Sequence, residues 1–213
     1  MKRRNLVASM LALIPTVLFA RFELLRPSAT QEGFRVVADK EGFRVKAGEA
    51  RFGRHFKMKG VTRNILDIKI SGKDTENDLA VFEQTGLSPY GGPPLHIHPF
   101  QDEWFYVVEG EYLFQVGDEQ YEMKQGDTIF LPRKVKHAFI QLTDQGKMIV
   151  SYLPAGKMEA FFEVTDKWTA PPSKEKIVKV FADHDMVVVG EPLKLIRNNG
   201  MGLYGGSMHS FIN

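Results

Sequence analysis

Three of the six histidines in this 213-residue chain, together with one glutamate, fall in two short stretches that could assemble a single metal site. The first runs Gly91-Gly92-Pro93-Pro94-Leu95-His96-Ile97-His98 and on to Glu103 and Gly110; the second runs from Gly126 through Pro132 to His137. Successive side chains of an extended strand point to opposite faces, so His96 and His98 look the same way. Pro99-Phe100-Gln101-Asp102 can turn the chain. Glu103 then opens Glu103-Trp104-Phe105-Tyr106-Val107-Val108, an aromatic and β-branched run that reads as a strand and brings the carboxylate back beside the imidazoles. In the second stretch Gly126-Asp127 makes a turn, Thr128 to Leu131 a strand, and Pro132-Arg133-Lys134 a break before His137 starts another strand. Three neutral nitrogens and one anionic oxygen suit a divalent first-row transition metal: iron, manganese, nickel, cobalt, copper or zinc. Magnesium and calcium prefer oxygen.

Strand parity nominates the neighbours of this set. Phe105 points with Glu103, and Phe139 and Gln141 point with His137, which makes Phe105 and Phe139 expected pocket walls. Gln141 is expected to orient an imidazole through its outer ring nitrogen. Trp104 and Tyr106 should face away.

The elements that must hold these residues are short strands. Leu66, Ile68 and Ile70 alternate with Asp67 and Lys69, and further strands are expected over 79–84, 95–98, 103–108, 111–116, 121–123, 128–131, 137–141 and 148–153. Close spacing with Gly and Pro turns argues for an all-β sandwich or barrel. After Pro154 the period changes. Met158, Phe161 and Phe162, then Ile177, Val180 and Phe181 after Ser173, lie at helical spacing, so two short helices should cover the core. From Asn198 the chain is rich in Gly, Asn and Ser and reads as a flexible tail.

The two stretches resemble the two motifs of the cupin superfamily, over roughly Gly60 to Pro154. The first motif falls on Gly91, His96, His98, Glu103 and Gly110, with the first glycine one residue closer to His96 than is usual. The second falls on Gly126, Pro132, His137 and Gln141, with Lys134 in place of the usual glycine and Gln141 in place of the usual asparagine. The resemblance implies a jelly-roll fold and a metal held by His96, His98, Glu103 and His137. Gly-Gly-Pro-Pro-Leu-His-Ile-His is similar to small bacterial cupins labelled quercetin dioxygenase-like, which implies activity toward a flavonol-like or enol substrate with Glu103 as the catalytic carboxylate. Many cupins pair, so a homodimer is compatible with the resemblance.

Composition bounds the rest. A chain that is 43% hydrophobic can bury one substantial core. The expected layout is a leader over 1–20, a lead-in over 21–59, the β-domain over 60–154, a helical extension over 155–190 and a tail over 191–213. Lys2, Arg3 and Arg4 account for more than the formal charge of +2, so the body shows no electrostatic footprint for nucleic acid or an anionic membrane. Those three cations precede the apolar run Leu6 to Ala20, the layout of a secretory leader, and Arg3-Arg4-Asn5-Leu6-Val7 resembles a twin-arginine leader. The expectation is export to the periplasm with no stable membrane span once the leader is removed; the alternatives are an N-terminal anchor or a cytoplasmic protein. With no cysteine, disulfides and thiolate ligands are excluded. His55, His184 and His209 read as surface or packing residues, and Glu32-Gly33-Phe34-Arg35-Val36 repeats at 41–45 as a local echo.

Two other functions use the same residues. The metal can polarise a carbonyl for isomerisation or epimerisation of a sugar or keto acid. Alternatively, the pocket captures a small molecule without turning it over.

Overall fold

A computed structural model describes residues 41–60 and 62–195. The leader, the first half of the echo, His209 and nearly all of the tail lie outside the described residues. Among the described residues, eleven strands and two helices follow in the order β1 (His55–Met58), β2 (Asn64–Ile70), β3 (Ala80–Gly86), β4 (Pro94–Ile97), β5 (Asp102–Glu109), β6 (Glu111–Val116), β7 (Glu119–Lys124), β8 (Thr128–Leu131), β9 (His137–Gln141), β10 (Gly146–Leu153), α1 (Met158–Thr165), α2 (Lys174–Asp183) and β11 (Val187–Pro192).

The strands form two antiparallel sheets, ordered β1-β2-β3-β10-β5-β8 and β11-β4-β9-β6-β7. They face each other as a jelly-roll sandwich whose sheets are hydrogen-bonded separately rather than closed into a barrel. Period-two burial makes the core. Glu103, Phe105 and Val107 on β5 are buried while Tyr106 between them is exposed. Rings meet across the sandwich, Phe105 lying 5.2 Å from Phe114 on β6 and 5.7 Å from Phe139 on β9. Burial of each such side chain contributes roughly 1.5–3 kcal/mol.

The helices lie where the periodicity placed them. Ser173 caps α2 by accepting from the Lys176 N–H at 3.3 Å. In α1, Phe162 packs 5.0 Å from Phe82 and 6.4 Å from Phe56. None of the helices among the described residues is long and apolar enough to cross a membrane.

Two edge strands depart from the expected layout. β1 sits within the lead-in, and β11 spans the end of the expected helical extension and the start of the tail. Val187-Val188-Val189 is β-branched and too short for a helix, and it pairs with β4, Val188 standing opposite His96. The strand that carries the first histidine is thereby hydrogen-bonded on both sides, since β9 places His137 opposite His96 on the other.

Candidate metal centre

The site is built from three strands and a turn. β4 delivers His96, with His98 just past its end; β5 delivers Glu103; β9 delivers His137. All four are buried, at 6%, 1%, 3% and 2% exposure, and one ligand atom from each lies within 4.8 Å of the others. The imidazole centroids are 4.5–5.4 Å apart. Donor atoms around one ion at about 2.0–2.2 Å stand no more than about 4.4 Å apart, so the four side chains need only draw together to share one ion.

The hydrogen bonds set the tautomers. The Nδ1 of His96 lies 2.8 Å from the Pro94 carbonyl, that of His137 lies 3.0 Å from the Val135 carbonyl, and that of His98 lies 3.0 Å from Gln101 Oε1. These oxygens only accept, so each Nδ1 carries a proton and each neutral ring keeps its lone pair on Nε2. Inside the cluster His98 Nε2 is 2.6 Å and His137 Nε2 is 3.4 Å from Glu103 Oε1, yet none of these three atoms has a hydrogen bond of sound geometry. Buried polar atoms that converge without bonding one another are what a cation would satisfy. The donor set and the orphaned atoms both fit a divalent transition metal.

Electrostatics divide the four. Burial, reinforced by the neighbouring imidazoles, holds His96 well below its ordinary value, so it stays neutral. Burial also pulls His98 down, but the Glu103 carboxylate outweighs it and the net shift is upward. Burial pushes Glu103 toward the acid, and the His98 and His137 rings reverse this and hold it well below the carboxylate range. Tyr152, opposite Glu103 on β10, is pushed well above the phenol range by burial and by that carboxylate; it is a neutral O–H.

A partly open cavity adjoins the cluster. Phe105 and Phe139 line it as parity implied, and α1 and α2 add Phe161, Phe162 and Phe181. Phe181 stands edge-on to the His96 ring at 5.3 Å, so the helical extension touches the site itself. Trp104 and Tyr106 face outward, stacked on each other.

Gln141 does not serve the imidazoles. It is buried and inward, but four residues along β9 from His137; its amide donates to the Thr143 carbonyl at 2.7 Å and packs over Gly86. The side chain that meets an imidazole is Gln101, which parity did not nominate. Its amide donates to the carbonyls of Pro154 and Ala155 at 2.9 and 2.8 Å while its oxygen faces His98. The available signal was its place in the turn, three residues after a ligand. His55 pairs with Asp67 at 2.6 Å on the outer face, and His184 bonds the Val180 carbonyl and packs on Phe161 without joining the cluster.

Residues 85–152 match the family model described as a cupin domain. The match supports the cupin superfamily. It contains all four residues of the cluster. A curated relative, an uncharacterized protein of Methanocaldococcus jannaschii, is 42% identical over 43 residues, which is 20% of this chain and 34% of that protein. The aligned part therefore spans about a third of the curated relative's length. Among solved structures, an RmlC-like cupin from Shewanella frigidimarina aligns at 20% identity with a TM-score of 0.46, over 56% of this chain and 96% of that one. KdgF from Halomonas sp. aligns at 20% identity with a TM-score of 0.39, over 43% and 78%.

Proposed function

We propose that the chain is a metal-dependent dioxygenase that acts on a flat enol or phenol of flavonol-like shape. The observation that carries the reading is the placement of three imidazole Nε2 atoms and one carboxylate, all buried, beside a cavity walled by aromatic rings.

His96, His98, Glu103 and His137 would hold the ion, and a bound divalent cation supplies Lewis acidity that favours the enolate or phenolate form of a coordinated oxygen. The protein's own contribution is position and protons. Glu103 is kept ionised, so it can accept the proton that an enol or phenol releases. Tyr152, a neutral phenol bordering the same cavity, can donate a hydrogen bond to the oxygen that gains charge. Phe105, Phe139 and Phe161 hold a planar body and keep water from it.

The same walls weigh against a sugar substrate, whose hydroxyls would need polar partners along its whole length. An isomerase of that kind is therefore less well supported. Non-catalytic capture uses the same cavity, and turnover separates the two.

The experiment is elemental analysis of the wild type and of His96→Ala, then oxygen uptake with flavonols and related enols after loading with iron, manganese, nickel, cobalt, copper or zinc in turn. Close to one ion per chain, lost in the variant, with uptake that depends on the ion, is the expected result. Bound metal with no uptake for any pairing would leave a binding module; no bound metal would end the proposal.

A further inference from the structure

The cavity runs away from the metal centre along the six-stranded sheet. Glu103, Tyr152 and Ala80 form one rung across β5, β10 and β3. Gln84 stands four residues farther along β3, about 13 Å of strand. Asn64 is farther still, opposite Gly86. Both residues border the cavity, and both are buried, at 5% exposure for Asn64 and 7% for Gln84. Between them and the cluster the lining is apolar, with Phe105 and Phe139 from the two sheets.

Asn64 uses its amide nitrogen but not its oxygen. Its Nδ2 donates to Thr62 Oγ1 at 2.7 Å, which orients the amide, while Oδ1 is buried with no partner among the described residues. Protein interiors satisfy nearly all such atoms, so an orphaned acceptor on a cavity wall marks a position for a donor brought by a ligand.

We infer that the substrate is elongated and largely aromatic, and that at the end remote from its metal-binding oxygen it carries a hydroxyl or N–H that Asn64 Oδ1 accepts, with Gln84 lining the same end. This rests on the metal-centred reading above and adds the substrate's second polar group. A short dicarboxylate would leave Asn64 orphaned and the aromatic walls empty. A wholly apolar ligand would bury the Asn64 carbonyl against carbon.

The test uses the full chain loaded with zinc, which undergoes no redox change, titrated calorimetrically with 3-hydroxyflavone lengthened at its 4′ position by a phenyl ring, long enough to reach from the metal toward Asn64, and with the derivative that carries a hydroxyl at the far end of that ring. The derivative should bind about tenfold more tightly, the effect of one hydrogen bond, and the preference should fall to near one in Asn64→Leu and weaken in Gln84→Leu. Equal affinities in the wild type, or a preference that survives both substitutions, would overturn the inference while leaving the metal centre intact. Failure of both compounds to bind, or equal binding to metal-free His96→Ala, would overturn the metal-centred reading and this inference with it. Should Asn64→Leu fail to fold, the wild-type ratio and Gln84→Leu decide.

Discussion

The Lys134 N–H donates to the His98 carbonyl at 2.8 Å, tying the turn before His137 to the second histidine of the first motif. Lys134 makes this bond with φ at +68°, the left-handed region where the cupin pattern has glycine. The turn keeps its shape despite the substitution, at a cost of about 1 kcal/mol for the Cβ. Next to it Arg133 grips Asp102, its guanidinium reaching the carboxylate at 2.6 Å and its backbone N–H at 2.7 Å. Two adjacent residues thus hold the two motifs in register. Lys134→Gly should raise stability by up to about 1 kcal/mol, part of it offset by glycine's greater freedom when unfolded. For a chain of this size that is about 2–4 °C in Tm, read by thermal denaturation. A lower Tm would show that the lysine side chain contributes more than its backbone strain costs.

Gln101 bridges His98 and the carbonyls that follow β10, so it fixes the orientation of one imidazole. Gln101→Leu should weaken metal affinity by about 10–100-fold, measured by competition with a chelator. Gln141→Leu is the contrasting case. It should leave that affinity nearly unchanged and lower stability by about 1 kcal/mol, because the Thr143 carbonyl loses its donor.

The contrast between these two glutamines shows what was legible in the sequence. Parity along β5 and β9 placed Glu103, Phe105, His137 and Phe139 inward because period two is a property of the backbone, independent of what packs around it. The same rule placed Gln141 inward, but rise along the strand carried it to the far end of the sandwich, a separation that parity does not encode. Gln101 sits in a turn, where side-chain direction follows from local backbone angles and not from alternation. β1 and β11 escaped for a different reason. Each is a short edge strand, and pairing with β2 and β4 defines them more than any pattern of their own. Asn64 fell in a strand legible from Leu66 onward, and its role depends on which side chains leave its oxygen without a partner.

Gly92 is a point where the backbone leaves no room. A Cβ there would run into the Phe139 carbonyl and crowd Ile140, so β4 could not keep its approach to β9. Because that approach sets His96 opposite His137, Gly92→Ala should act on both stability and site. The expected loss is about 3 kcal/mol in denaturant titration, with metal affinity falling as well. Gly126→Ala is the control. A Cβ there meets nothing within 4 Å, although φ is +93°, so backbone strain should lower stability without affecting the metal.

Metal capture should release a proton. In the metal-free site His98 lies 2.6 Å from a carboxylate that keeps it protonated above its ordinary value of 6.5, whereas His96 is already neutral. A ligand nitrogen must be unprotonated, so below that raised value binding has to expel the His98 proton. Calorimetry of metal binding in buffers of different ionisation enthalpy should therefore report net proton release, rising toward one per ion as the pH falls below the raised His98 value. Below the raised His98 value, affinity should fall about tenfold per pH unit, since each unit adds about 1.4 kcal/mol to the cost of deprotonation. Glu103→Gln removes the charge that raises His98, leaving burial to lower it, so proton release at neutral pH should nearly vanish even though affinity is weaker. Undiminished release in Glu103→Gln would mean that the proton comes from a group other than His98.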